Sequence, residues 1–209
     1  MRKLTSLFLL IVSAAVAGDV TATIQLSKPD MKGGMPLMQA LNERKSVREF
    51  KADKLPPTIL SNLLWAAYGQ NRPDGRRTAP SANNRQTIDI YVVVAEGAYQ
   101  YQPKEHRLDL VVSGDVRAST GRQDFVAQAP LNLVYVADYA KIANTPDEDK
   151  SLYTGAETGF VSQNVYLYCA SEHLATVVRA MVDRPALAKT LKLRPDQKIT
   201  LSQTVGYPK

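Results

Sequence analysis

The sequence predicts a single α+β domain. Strand and helix patterns follow one another without the regular alternation of a doubly wound parallel sheet, and two of the strands read as a hairpin. Without a cleaved leader, about 190 residues remain, enough for one core. There is no internal repeat.

The chain opens with Met1-Arg2-Lys3, runs through apolar residues from Leu4 to Val16 and reaches Ala15-Val16-Ala17 before Gly18. A positive start, a short apolar middle and a small-x-small end describe a secretory signal peptide over 1–17. An uncleaved anchor would need about 20 apolar residues. Loss of Arg2 and Lys3 lowers the formal charge from +6 to +4. The remaining bases are dispersed among acids, which gives nucleic-acid binding no support, and no membrane association is expected after cleavage. No cysteine stands at the cleavage point to take a lipid.

Cys169 is the sole cysteine, so an intrachain disulfide is excluded. Its apolar helical surroundings suit a small core residue rather than a nucleophile. His106 and His173 are far apart and lack companion ligands, which argues against zinc.

Residues 18–34 show no period and read as a mobile lead-in to a domain spanning 35–209. Pro36 to Glu43 reads as a short helix with Leu37, Ala40 and Leu41 on one side. Arg44, Ser46 and Arg48 follow at two-residue spacing. In an extended segment alternate side chains share a face, so two guanidiniums and a hydroxyl would converge on a spot suited to a phosphate. The alternative is a solvated basic strand.

Pro56-Pro57 can open a second helix, with Leu60, Leu63, Leu64, Ala67 and Tyr68 as its stripe and Gly69 as a left-handed stop. Gln70 to Arg85 is a loop too long for a plain connector. Ile88 to Val94 is the strongest strand, apolar on both parities at its end and so buried on both faces. Ala98–Gln102 and Arg107–Val112 read as a hairpin, and Leu131–Ala137 as another central strand. A long helix is expected from about Leu152 to His173, with Phe160, Val161, Asn164, Val165, Tyr168 and Cys169 on or beside one face. Gly155 and Gly159 lie one turn apart on it, suited to close packing within the chain or between subunits. Pro185–Lys192 forms a last helix and Ile199–Gly206 a last strand.

RKSVREF, LLWAAYGQNRPDGRRTAPSANNRQT, GAETGFVSQNVYLYCASEHLATVV and TVGYPK occur in the order and spacing of the nitroreductase family of FMN-dependent oxidoreductases, and from about Met35 onward the chain resembles that family. The YQYQPKEHRL hairpin and the LLWAAYG run are most similar to the branch containing the azoline oxidases of peptide-modifying clusters.

The resemblance implies a mostly antiparallel central sheet flanked by helices, in a homodimer with FMN at the subunit interface. Arg44, Ser46 and Arg48 match positions that hold the phosphate and ribityl chain. Pro80, Ser81, Asn84 and Gln86 match the Pro-Ser-x-x-Asn-x-Gln loop, in which Ser81 reaches the flavin held by the other subunit and Asn84 bonds the polar edge of the ring. Amides suit that edge, which carries both acceptors and a donor; ordinary turn chemistry is the competing account of Ser81 and Asn84.

Ala175–Val182 resembles the segment whose backbone N–H meets flavin N5. Arg179 and Ala180 stand where the family often has an acid and a glycine, and two roles are open for Arg179: charge beside the ring, or exposure to solvent. His173, where glycine is common, is expected to take a left-handed conformation at a helix end. The family's usual C-terminal arm is short here, with Lys209 as a partial substitute for its phosphate contacts. No side chain is expected to act as a catalytic acid or base. Tyr68, Tyr99, Tyr101, Tyr153 and Phe160 could line a substrate slot, although packing explains each of them as well.

The implied activity is ping-pong electron transfer from a reductant to a nitroaromatic, a quinone or a similar small conjugated acceptor. Export would remove the protein from cytoplasmic NAD(P)H, which leaves the donor open. The other function considered is an exported flavin-binding or carrier protein without turnover.

Overall fold

The computed structural model describes residues 22–209, so residues 1–17, expected to be a signal peptide, and residues 18–21 of the lead-in lie outside the described residues. The sheet is antiparallel throughout. Its strands are β1 (Thr23–Gln25), β2 (Ile88–Val94), β3 (Gly97–Gln102), β4 (Arg107–Ser113), β5 (Leu131–Asp138), β6 (Ala175–Arg179) and β7 (Gln197–Gly206), in the order β1-β4-β3-β2-β5-β7-β6. The helices are α1 (Leu37–Glu43), α2 (Pro57–Tyr68), α3 (Asp147–Ser171) and α4 (Arg184–Thr190). The α+β architecture and the mostly antiparallel sheet are as expected.

Every residue of β5 is buried, because β5 lies between β2 and β7 and is covered on both faces. Leu131, Leu133 and Tyr135 join Ile88, Ile90 and Val92 against Leu63 and Leu64 of α2 and Val161, Val165 and Cys169 of α3. Val134 and Val136 take the opposite parity with Tyr91 and Val93, and meet Leu187 and Leu191 from α4 and the turn after it. Cys169 is therefore a core residue, and burial raises its thiol pKa well above the ordinary range.

Local chemistry sets most helix ends. Pro57 opens α2 where no N–H bond is needed. Asp147, Glu148 and Asp149 occupy the first turn of α3, where the helix dipole favours negative charge, so α3 starts five residues before the apolar pattern does. Asp183 caps α4 by accepting from the Ala186 N–H at 3.1 Å. His173 is left-handed (φ 54°); the His173 N–H donates to the Ala170 carbonyl and the Leu174 N–H to the Cys169 carbonyl, which is a Schellman stop.

Three expectations need correction. Part of the lead-in, Thr23–Gln25, pairs with β4. Gly69 is not left-handed: its φ is −67°, and a Cβ there would come within 2.4 Å of the Trp65 side chain and 2.8 Å of its Cα, so close approach is what glycine permits. Arg44 to Glu49 do not form a strand. They run beside β6 with one bond to it, from the Val47 N–H to the Thr176 carbonyl (2.9 Å), which protects the sheet edge without building a ladder.

The amphipathicity of α3 is inverted over its first half. Thr154, Glu157, Thr158 and Ser162 are buried, while Leu152 (65%) and Phe160 (47%) are exposed. A Cβ at Gly155 or Gly159 would meet nothing within 4 Å, so these glycines serve no close helix contact among the described residues. Leu37 and Leu41, expected on the packed side of α1, are also exposed, with only Ala40 of that helix buried.

Candidate functional site

Two groups of the expected residues are assembled, both against α3. In the first, Ser46 Oγ lies 2.8 Å from Tyr166 Oη, and the Arg44 guanidinium carbon is 5.4 Å from the centroid of the same ring, within cation–π range. Tyr166 Oη also accepts from the Val178 N–H of β6 at 2.9 Å. One tyrosine thereby fixes the hydroxyl and one guanidinium relative to the sheet. Arg48 is exposed and makes no side-chain hydrogen bond or ion pair among the described residues, leaving its five donors free. The Lys209 N–H approaches the Glu49 carbonyl at 3.4 Å, which brings the C-terminal lysine alongside this segment. A cleft of about 560 Å³ adjoins, with Lys45, Val47, Tyr166, His173 and Lys209 on its walls.

The second group is the loop ending in Gln86. Ser81 Oγ accepts from the Gln86 N–H at 3.0 Å. Gln86 Nε2 donates to Asn84 Oδ1 (3.0 Å) and to the Gly75 carbonyl (2.9 Å). Asn83, Asn84 and Gln86 have φ of 52°, 54° and 51°, left-handed conformations that cost energy for residues other than glycine and gather at functional sites. Pro80 and Asn84 are exposed, and the Asn84 amide N–H groups have no partner among the described residues. Turn chemistry thus accounts for the Ser81 hydroxyl, whereas the Asn84 donors remain available.

What holds this loop is Glu157, which the sequence reading missed. Its carboxylate, 2% exposed, accepts from the Ala82 N–H at 2.9 Å, from the Thr87 N–H at 3.2 Å and from the Thr87 hydroxyl. Tyr166 was missed as well. The available signal was the run of polar residues Thr154, Thr158, Ser162 and Tyr166 at four-residue spacing, which marks one face of α3 as polar yet inward.

Arg179 does not point to solvent, one of the two roles considered for it. It is 5% exposed and donates to the Thr120 carbonyl (2.9 Å) and Asn132 Oδ1 (3.0 Å), with its guanidinium carbon 5.9 Å from the Phe125 ring centroid. Burial lowers its pKa to about 10. Its side chain anchors β6 to β5 and to the segment before it, and Ala180, exposed just past the end of β6, offers backbone at the surface. Tyr68, Tyr99 and Tyr101 are buried core residues; Tyr153 and Phe160 lie on the exposed face of α3.

Comparison with known proteins decides the kinship. The sequence pattern described as the Nitroreductase family matches residues 41–207. The chain belongs to the nitroreductase family. A protein of Methanocaldococcus jannaschii assigned as a nitroreductase is 34% identical over 165 residues, covering 74% of this chain and 83% of its own length. The crystal structure of a nitroreductase-assigned protein of Ralstonia eutropha JMP134 superposes with a TM-score of 0.88 at 44% identity, over 92% of each chain. A more distant family structure, from Desulfovibrio desulfuricans, was solved in complex with FMN; it has a TM-score of 0.61 at 19% identity, over 83% of this chain and 87% of that one, and shows likeness of fold.

Proposed function

We propose that two copies of this chain hold FMN between them and work as an oxidoreductase, passing electrons from a reductant to a nitroaromatic, a quinone or a similar small conjugated acceptor. The observation that carries this reading is the placement of the two groups on α3. Tyr166 and Glu157 are nine residues apart, which is two and a half turns, so their side chains leave on opposite sides of the helix roughly 13 Å apart along its axis. A flavin held by Arg44, Ser46 and Arg48 would have to pass round α3 to meet Asn84 of the same chain. A second chain seated on the bare apolar face of Leu152, Phe160 and the two glycines would bring its own loop instead.

The donor set suits FMN. Arg44, Arg48 and Lys209 supply positive charge and forked N–H donors for a phosphate monoester, and Ser46 adds a neutral hydroxyl. Asn84 offers amide donors to the polar edge of an isoalloxazine. FMN, when bound, supplies the hydride and electron chemistry. The chain's part is to clasp the phosphate, to orient the ring through the loop fixed by Glu157, and to keep water from its face.

The YQYQPKEHRL hairpin and the LLWAAYG run support kinship with the azoline-oxidase-like branch in this reading. The opening residues support export, cleavage after Ala17 and work outside the cytoplasm, which leaves the electron donor open. A non-catalytic flavin carrier is the second reading, favoured by Arg179 and Ala180 standing where the family often has an acid and a glycine. Flavin-loaded protein that is bleached by a reductant and recovers its colour with a nitro compound or a quinone is the expected result; bound flavin that passes electrons to no acceptor would replace the enzyme with the carrier.

A further inference from the structure

A second pocket, of about 280 Å³, lies where the loop after α2 meets the start of β2 and the end of β3. Five charged side chains line it. Lys141 pairs with Asp89 at 2.9 Å and Arg194 with Asp138 at 2.9 Å, which leaves Arg77 without a paired carboxylate among the described residues. The Arg77 guanidinium carbon sits 4.4 Å from the Tyr68 ring centroid, so one face is stacked and its N–H edges stay free. Tyr68 is fully buried, lines the same pocket, and its hydroxyl makes no well-formed hydrogen bond among the described residues. A buried phenol and a half-buried cation that pairs with no carboxylate face one small space, and an unmatched donor there is costly.

We propose that this pocket binds a small monocarboxylate, held by the Arg77 guanidinium and the Tyr68 hydroxyl. Three cations against two carboxylates leave one positive charge to neutralise, and Asp89 and Asp138 in the walls repel a dianion such as phosphate. A planar carboxylate matches the guanidinium fork and accepts from the phenol at once. Burial raises the Tyr68 pKa far above neutrality and lowers that of Arg77, so the phenol keeps its proton as a donor. Lys141 also donates to the Gln86 carbonyl at 3.1 Å, which ties the pocket wall to the loop carrying Ser81 and Asn84. The site is separate from the flavin reading and does not depend on it.

The test is calorimetric titration of acetate and propionate into the purified protein with its flavin content recorded, beside neutral propionamide and inorganic phosphate. The proposal expects saturable carboxylate binding, about tenfold weaker in Tyr68→Phe, which keeps the ring and loses only the hydroxyl, and lost in Arg77→Met. Absence of binding to the native chain overturns it. So does equal binding by the native chain and Tyr68→Phe, which places the anion elsewhere, or propionamide or phosphate binding as tightly as propionate.

Discussion

Ser46 Oγ and Tyr166 Oη lie 2.8 Å apart, joining the segment after α1 to the C-terminal part of α3 across 120 residues of chain. Because Tyr166 also accepts from the Val178 N–H, its phenol fixes Ser46 and β6 together. Replacement of Tyr166 by Phe is expected to weaken FMN binding by about 1 kcal/mol, roughly fivefold, without loss of fold; quenching of flavin fluorescence on titration measures it. An unchanged dissociation constant would mean that Ser46 is held well enough without the phenol.

Glu157 accepts from three donors of the loop that ends in β2. In Glu157→Gln one acceptor oxygen becomes an amide that faces donors, so the variant should lose about 2 kcal/mol of stability. Urea unfolding followed by circular dichroism reads this directly, and a shift near zero would show that the loop is fixed by its own turns.

The contrast between these two residues and the strands shows what the sequence makes legible. Ile88–Val94 and the 97–113 hairpin announce themselves because burial on a pleated sheet writes a local pattern of side chains. The spacing of Arg44, Ser46 and Arg48 was equally plain, yet the segment is no strand, since the edge of β6 binds it through one N–H only. Glu157 and Tyr166 look like ordinary polar helix residues, for the partners that define them are distant in the chain. Arg179 was unreadable for the same reason: its acceptors, Thr120 and Asn132, come from another part of the fold.

Gly69 is required by contact rather than by backbone angle. Gly69→Ala would press a methyl against Trp65, including its Cα at 2.8 Å, and is expected to destabilise the protein by about 1–3 kcal/mol. A thermal melt checks it. A melting temperature equal to that of the native protein would show that the end of α2 yields freely.

His106 gives the protein an acid-side weakness. Ser61 Oγ, which donates to the Ser27 carbonyl at 2.6 Å, lies 2.7 Å from His106 Nε2, and Tyr101 Oη lies 2.8 Å from Nδ1. This network suits a neutral ring with its proton on Nε2. Burial lowers the His106 pKa, so the unfolded chain takes up the proton first as pH falls. Its contribution is therefore complete above the ordinary value of about 6.5 and is lost between there and the lower folded value. Denaturation midpoints measured from pH 8 to pH 5 should decline below about 6.5, and His106→Asn should flatten that part of the profile; parallel curves would remove His106 as the cause.

The central claim is that flavin is shared between two chains across the bare face of α3. Sedimentation with detection at flavin wavelengths, applied to the native protein and to Phe160→Glu, tests it most directly. The account predicts a yellow dimer for the native chain, and for the variant a colourless monomer that remains folded by circular dichroism. A monomer sedimenting with one equivalent of FMN would contradict it.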